Sequence, residues 1–165
     1  MIKLLKKKNN DLLINKYYYS RFSKKNIKFS ISKKIDIINH YNWWFNNKRN
    51  FYFYQTKNKK NFYFWSEINF FKKKSYCTCG FHLDDKINIL DVIIIYKKFL
   101  KLLKKKYKFP IIGVTEKKNL FLIKINENLG FKKIINKKSS QYIFLKKKYN
   151  LKKNSNNYIF FYMKN

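Results

Sequence analysis

Residues 111–131 read IIGVTEKKNLFLIKINENLGF, and the change of pattern inside this stretch decides the fold. The apolar residues 111–115 predict a buried strand. Residues 119–129 predict a helix, which Gly130 closes at the position where helices often end on a glycine. A strand that leads directly into a short helix indicates an α/β domain.

Upstream of this stretch, three aromatic runs predict an antiparallel meander. Residues 51–56 and 61–66 are rich in Phe and Tyr and are separated by a lysine-rich turn, as in a β-hairpin. Residues 75–83 follow a second lysine-rich turn and form the third predicted strand. The period then changes, and residues 88–107 predict an amphipathic helix. Its predicted apolar stripe consists of Ile89, Ile93, Tyr96, Leu100 and Leu103.

The ends of the chain carry weaker signals. Residues 27–31 alternate as in a short strand, and a helix is predicted from Ser32 to Phe45 with Ser32 as its N-cap. Its apolar stripe is predicted to contain Ile35, Ile38, Tyr41 or Asn42, and Phe45. Three more strands are predicted at residues 131–135, 141–145 and 158–162. The order of these elements predicts one α/β domain over residues 1–165 with a mixed sheet.

The composition is extremely basic but is that of a folded chain. The 165 residues carry a net charge of +32, yet 45% are hydrophobic and 21% are aromatic, far too many for a disordered basic tail. No apolar run approaches the roughly 20 residues that span a bilayer. The charged amino terminus does not resemble a secretory signal, and a cytoplasmic or organellar-matrix location is expected.

The basic residues have two interpretations. Only two of the 40 are arginines, Arg21 and Arg49; the others are lysines, and the chain has no alanine and three glycines. Such usage is typical of an AT-rich genome, because lysine codons are AT-rich. Alternatively, the lysine runs are phosphate contacts that bind RNA together with exposed aromatic rings. These runs are Lys6–Lys8, Lys72–Lys74, Lys104–Lys106 and Lys146–Lys148.

Cysteine and histidine supply the candidate chemistry. Cys77 and Cys79 lie on one face of a predicted strand, where two reduced thiols are expected and a metal site is not. His82, Asp84 and Asp85 end that strand and precede a helix, a place where α/β sheets hold ligands. His82 suits a general base, and a surface turn with two carboxylates near a helix amino terminus is the alternative.

Residues 111–131 resemble the closing half of the GNAT acetyltransferases. The resemblance rests on a strand, on Asn119 opening a helix, and on Gly130 and Phe131 eleven and twelve residues later. More loosely, residues 40–45, HYNWWF, resemble GNATs that acetylate amino-sugar nucleotides. The resemblance covers about residues 12–148 and implies a mixed, mostly antiparallel central sheet flanked by helices.

The resemblance also implies a site for acetyl-CoA as co-substrate. The cofactor would lie where the strand ending at Leu83 splays from the strand at residues 111–115, with backbone groups near Phe81 and Leu83 on its arm. Asn88, at the amino terminus of the following helix, and Lys86 would hold the pyrophosphate. Asn119 would bind the arm from the second side.

The catalytic base implied by the resemblance is His82, Asp84 or Glu67, acting directly or through water. The expected function is therefore transfer of acetyl from acetyl-CoA to a small amine, with an amino sugar nucleotide as one candidate acceptor. Asn126 stands where the family often has a tyrosine that protonates the leaving thiolate. The alternative is a basic RNA-binding or ribosome-associated structural protein, including a GNAT derivative without catalysis.

Overall fold

The computed structural model describes residues 2–5, 11–23, 35–83, 88–151 and 154–164. The chain divides into two compact units. The first unit consists of Met1–Glu67 and Gly80–Asn88, and the second consists of Ile68–Cys79 and Ile89–Asn165. Each is described by itself below.

Helices and strands alternate along most of the described chain. The helices are α1 (Asp11–Arg21), α2 (Ile37–Asn46), α3 (Ile89–Lys106), α4 (Leu120–Asn128) and α5 (Ser140–Lys148), with one 3₁₀ turn at Ser155–Asn157. The strands are β1 (Lys3–Leu5), β2 (Asn50–Gln55), β3 (Asn61–Phe71), β4 (Lys74–Leu83), β5 (Ile111–Glu116), β6 (Lys132–Lys133) and β7 (Tyr158–Met163).

Neighbouring strands are hydrogen-bonded in the order β1-β2-β3-β4-β5-β7-β6. In the first unit, β2 pairs antiparallel with β1 and with β3, in a register that joins Phe51 to Trp65. In the second unit, β7 pairs antiparallel with β5 and β6, whereas β4 and β5 are parallel. The α/β class with a mixed, mostly antiparallel sheet and flanking helices is therefore confirmed.

The parallel ladder between β4 and β5 is short. It contains two pairs, Cys77 with Ile111 and Thr78 with Ile112. The Cys77 amide also donates to the Pro110 carbonyl at 3.0 Å. By contrast, β5 pairs with β7 along its full length, from Ile111 to Glu116.

The core of the first unit is aromatic. Its buried members are Ile14, Tyr17, Trp44, Phe51, Tyr63 and Trp65. The Trp44 and Phe51 rings stack at 4.1 Å between centroids, and Tyr17 meets both edge-on. Helices α1 and α2 are also joined by a hydrogen bond from the Tyr41 hydroxyl to Asn15 Oδ1, 3.1 Å long. Aromatic pairs of this kind add to the free energy of burial.

In the second unit, α5 packs against β5 and β7. The Tyr142 ring lies 4.3 Å from that of Phe160, and the Tyr76 ring stacks on Phe144. Helix α3 contacts β4 through the Tyr96 hydroxyl, which lies 3.7 Å from Cys79 Sγ. None of the described helices combines the length and apolar composition that a membrane crossing requires.

Most predicted elements are confirmed. The meander forms as β2, β3 and β4, the long helix forms as α3, and β5, α4 and β7 also form. The turn of the β3–β4 hairpin is made by Lys72 and Lys73, both with positive φ, 47° and 60°. Helix α1 was not predicted. The predicted strand at residues 27–31 lies outside the described residues.

The predicted strand at residues 141–145 is wrong, because these residues belong to α5. Ser139 is the N-cap of this helix, and its side chain accepts from the Tyr142 amide at 3.3 Å. The apolar residues Tyr142, Phe144 and Leu145 are buried on one side of the helix. A capping hydroxyl thus outweighs the β-propensity of the aromatic residues. The strand predicted at residues 131–135 is reduced to β6.

The apolar stripes of two helices also differ from those predicted. Helix α2 begins at Ile37 after the N-cap Asp36, and it buries His40 and Trp44 while Ile38 is 79% exposed. A buried histidine among aromatic rings was not foreseen. In α3 the buried set includes Val92 and Ile95, whereas Ile89 is exposed.

Candidate functional site

The end of strand β4 carries the candidate site in the first unit. Gly80 begins this segment, and a Cβ added there would lie 2.8 Å from Trp65 Nε1. The position therefore requires glycine, because the Trp65 indole approaches the backbone directly. The Phe81 ring lies 6.2 Å from that of Phe64, and Leu83 is buried.

His82 is held in an electropositive, aromatic environment. Its ring meets Tyr17 edge-on at 5.4 Å. Burial, together with the positive charges of Arg21 and Arg49, lowers the pKa of His82 to about 3. Although the residue as a whole is partly exposed, its Nε2 atom is buried and has no hydrogen-bond partner among the described residues. At neutral pH the imidazole is therefore uncharged, with one ring nitrogen free to accept a proton or hydrogen bond.

Glu67 forms an ion pair with Arg49. The Arg49 Nε and Glu67 Oε2 atoms are 3.5 Å apart, and both side chains are mostly buried. The Arg49 guanidinium also lies over the Trp65 ring, 4.0 Å from its centroid. Glu67 thus compensates the charge of Arg49, and the Trp65 ring adds a cation–π contact to the guanidinium.

Arg21, Tyr17 and His40 complete this cluster and were missed by the sequence analysis. Arg21 is 6% exposed, and its guanidinium lies 4.6 Å from the centroid of the Trp43 ring. Burial lowers the pKa of His40 to about 4, with Arg21 contributing, and burial raises the pKa of Tyr17. The one available signal was compositional, since Arg21 and Arg49 are the only arginines of the chain.

Two of the predicted site residues, Asp84 and Lys86, lie outside the described residues. Asn88 directly precedes α3, an 18-residue helix with Asp91 in its first turn. The helix dipole of α3 favours an anion at this end.

In the second unit, Asn119 is the N-cap of α4. Its Oδ1 atom accepts from the Leu122 amide at 3.0 Å, and the residue is 7% exposed. At the other end, the Gly130 amide donates to Glu127 O and the Phe131 amide to Asn126 O, both at 3.0 Å. Gly130 has φ +88°, so this is a Schellman motif. The residues that carry the family resemblance are therefore the two caps of one helix.

Asn126, the residue at the position of the expected tyrosine, faces the sheet of the second unit. It is 7% exposed, and its Nδ2 atom donates to Thr115 Oγ1 at 3.4 Å. Its carboxamide has no group that could protonate a thiolate near neutral pH.

The two cysteines are free thiols. Burial raises the pKa of Cys79 to about 12, so this residue is not a thiolate nucleophile. Among the residues that the structure describes, no group of three or more His, Cys, Asp or Glu side chains could hold a metal ion.

The second unit also contains an open cavity of about 340 Å³. It is lined by Lys104, Leu129, Gly130, Lys132, Tyr162, Met163 and Lys164. These lining side chains include no histidine and no carboxylate.

Most lysine runs have a structural explanation. Lys104–Lys106 and Lys146–Lys148 form the last turns of α3 and α5, where positive charge is favoured by the helix dipole. Lys72 and Lys73 form the β3–β4 turn, and the run at residues 6–8 lies outside the described residues. Nucleic-acid binding stays a prediction.

No protein-family model matches the sequence, and no curated protein sequence matches it. Solved structures do match. The acetyltransferase (GNAT family) from Bacillus anthracis has a TM-score of 0.63 and 13% identity, over 98% of this chain and 92% of that one. The chain has the GNAT fold.

Two other solved structures extend this likeness. The Campylobacter jejuni N-acetyltransferase PseH, in complex with acetyl coenzyme A, has a TM-score of 0.61 and 13% identity over 99% of both chains. AAC(6')-Ib, in complex with paromomycin and acetyl-CoA, has a TM-score of 0.66 and 10% identity over 81% of this chain and 83% of that one. At such identities the GNAT fold is what the chains share.

Proposed function

We propose that this protein is an acetyl-CoA-dependent N-acetyltransferase that acetylates a small amine. The observation that carries the proposal is the likeness to PseH, an N-acetyltransferase in complex with acetyl coenzyme A, over 99% of both chains. Because fold alone does not determine function, the proposal also depends on the chemistry of the residues at the end of β4 and at α4.

The residues fit acetyl-CoA in two respects. Strand β4 continues to Leu83, although its parallel ladder with β5 contains only the pairs at Cys77 and Thr78. Helix α3 begins directly after Asn88 and has 18 residues, so its dipole places a partial positive charge at this end that favours the pyrophosphate. We propose that backbone groups near Phe81 and Leu83 bind the pantetheine arm, that Lys86 and Asn88 hold the pyrophosphate, and that Asn119 binds the arm from α4.

Bound acetyl-CoA would supply an activated acetyl thioester. As the amine nitrogen forms its bond to the acetyl carbon, the carbon–sulfur bond breaks, the amine loses a proton and the thiolate gains one. We propose His82 as the first acceptor of the amine proton, directly or through water, because its Nε2 atom is unpartnered among the described residues. Its low pKa makes it a weak base, so water or Asp84 would carry the proton onward.

Glu67 is the alternative base. Its carboxylate forms an ion pair with Arg49, which holds it in place. For the acceptor we propose an amino sugar nucleotide first, on the resemblance at residues 40–45. Its diphosphate would be attracted by the net charge of +32.

Release of the CoA thiol tests this function. We expect acetyl-CoA and an amine panel that includes amino sugar nucleotides to yield free CoA and an acetylated amine, detected with a thiol reagent and by mass spectrometry. His82→Asn should slow release by about 10²-fold or more while acetyl-CoA binding is retained. Full activity in His82→Asn would remove His82 from the mechanism, and activity lost only in Glu67→Gln would assign the base to Glu67.

A further inference from the structure

The two arginines of the chain converge on one place in the first unit. Arg21 comes from α1 and Arg49 from the segment between α2 and β2. Their guanidinium carbons lie 4.6 and 5.4 Å from the centroid of the same ring, Trp43. All other basic positions of the chain are lysine. Arginine and lysine differ most where a planar guanidinium stacks on a ring or binds an anion through two parallel hydrogen bonds.

The charges of the two arginines are compensated differently. Arg49 is paired with Glu67 at 3.5 Å. No described carboxylate lies within 4.0 Å of Arg21, although this residue is only 6% exposed. Its Nη1 atom is buried and has no hydrogen-bond partner among the described residues. A buried, uncompensated charge is strongly unfavourable, and an anion that binds to it removes the penalty.

His82 adds a second unpartnered atom to the same cluster. Both His82 and Arg21 are close to Tyr17: the rings of His82 and Tyr17 are 5.4 Å apart, and the charge of Arg21 acts on Tyr17. The His82 Nε2 atom, like Arg21 Nη1, is buried without a partner in the described part of the chain. The Tyr17 ring packs against His82 and the Trp43 ring against Arg21, and such apolar surroundings strengthen charge-assisted hydrogen bonds.

We propose that Arg21 binds an anionic group of the acceptor, a carboxylate or a phosphate, next to His82, and that Arg49 orients this site through Trp43. The anion site itself does not depend on the proposed N-acetyltransferase function; only the identification of its ligand as the acetyl acceptor does. The guanidinium of Arg21 would donate to the anion, and the neutral His82 ring beside it would keep Nε2 unprotonated, as its proposed role as base requires. Such a site favours anionic amines and disfavours polycations such as spermidine.

Three amino sugars that differ in their anionic group test the contribution of the anion to binding. Glucosamine has no anionic group, muramic acid adds a carboxylate to the same sugar, and glucosamine 6-phosphate adds a phosphate. We expect calorimetric titration of the full chain at about 150 mM KCl to show that at least one anionic sugar binds about tenfold or more tightly than glucosamine. The better of the two identifies the anion. Equal affinity for all three sugars would overturn the proposal.

The variant Arg21→Lys preserves the charge but removes the planar fork. We expect it to weaken binding of the preferred sugar by about tenfold, whereas Lys48→Met, which removes an exposed charge from the same unit, leaves binding within about twofold. If both variants weaken binding equally, the anion is attracted by the overall positive charge of the protein, and the proposed site at Arg21 is wrong. The same result follows if Arg21→Lys binds as tightly as the unaltered chain.

The carboxylates of Asp84 and Asp85 are the alternative partners of Arg21 within the chain. They follow His82 closely in sequence and lie outside the described residues. If they are its partners, the double variant Asp84→Asn/Asp85→Asn should lower the melting temperature as Arg21→Lys does, and no anionic sugar should protect the unaltered chain. That pair of results would overturn the proposal.

Titration of the same samples with acetyl-CoA distinguishes the anion site from the acetyltransferase function. We expect Arg21→Lys to bind acetyl-CoA as the unaltered chain does. An unaltered chain that binds anionic sugars but no acetyl-CoA would contradict only the acetyltransferase function.

Discussion

Polar groups are satisfied in helix α4 of the second unit but not around Arg21 in the first. At α4, Asn119 caps one end, and a Schellman motif at Gly130 and Phe131 caps the other. In the aromatic cluster around Arg21 and Tyr17, several buried nitrogen atoms have no partner among the described residues. They include Arg21 Nη1, Trp44 Nε1 and His82 Nε2.

This difference separates structural residues from candidate ligand-binding ones. Satisfied caps stabilise the fold whether or not a ligand is present. Buried polar atoms without partners destabilise the folded chain, and a ligand that pairs with them recovers that free energy. The four predictions below test the comparison, from the largest expected effect to the smallest.

Trp44→Ala tests whether Trp44 stabilises the first unit through the packing of its ring and not through a hydrogen bond of its Nε1 atom. Trp44 is 2% exposed and stacks on Phe51, so its removal should lower the free energy of unfolding by about 3–5 kcal/mol in urea denaturation. Trp44→Phe removes the unpartnered Nε1 atom but keeps a ring, and should cost less than about 1.5 kcal/mol. On the same helix, Ile38→Ala at an exposed position should change stability by about 0.5 kcal/mol or less. Equal losses in Trp44→Phe and Trp44→Ala would mean that Nε1 has a partner.

The pH dependence of stability should reveal the uncharged state of His82. Its pKa is about 3 in the folded chain and 6.5 in the unfolded one, so below pH 6.5 only the unfolded chain takes up the proton. Stability is therefore fully present above about pH 6.5 and is lost as the pH falls toward 3, by up to about 1.4 kcal/mol per pH unit. His40, with a pKa of about 4, adds a loss of the same sign.

His82→Asn isolates the contribution of His82. Thermal or urea unfolding between pH 7 and 4.5 should show a shallower loss in this variant than in the unaltered chain. Parallel curves for the two proteins would mean that His82 is protonated equally in the folded and unfolded chains.

Glycine substitutions test the cap of α4. Gly130 has φ +88°, a conformation that costs an L-residue roughly 1–2 kcal/mol. Gly130→Ala should therefore destabilise the chain by about that amount in urea. Gly113→Ala is the matched control, because a Cβ there meets nothing within 4 Å, and it should be neutral or stabilise by less than about 1 kcal/mol. Similar losses at both positions would show that the strain at Gly130 is not the cause.

Asn119 separates capping from cofactor binding. Asn119→Ala should lower the free energy of unfolding by about 1 kcal/mol, whereas Asn119→Ser keeps a capping oxygen and most of the stability. If Asn119 also binds the CoA arm, as proposed, Asn119→Ser should weaken acetyl-CoA binding by about three- to tenfold despite normal stability. Unchanged affinity would limit Asn119 to its structural role.

Local signals explain why much of the second unit was predictable from sequence. Asn119, Gly130 and Phe131 lie within thirteen residues, and each acts on the backbone of the same helix. The error at residues 141–145 has the same origin, since aromatic residues favoured a strand and the capping role of Ser139 was not recognised. Caps decide helices locally, but they are easily missed when β-formers follow them.

The candidate site was only partly predictable, because its residues come from distant segments. His82 was found from its position at a strand end. Arg21, His40 and Trp43 join it only through the packing of α1 and α2 against the strands of the first unit. Neither hydrophobic periodicity nor spacing reports such contacts, and His40 is not part of the apolar stripe predicted for its helix.

Titration calorimetry with acetyl-CoA tests the central claim most directly. At about 150 mM KCl we expect saturable binding at one site per chain, which a similarly charged polyanion, ATP, does not displace at equal concentration. The absence of binding at millimolar acetyl-CoA, or complete displacement by ATP, would contradict an acetyltransferase and leave a GNAT fold without its cofactor.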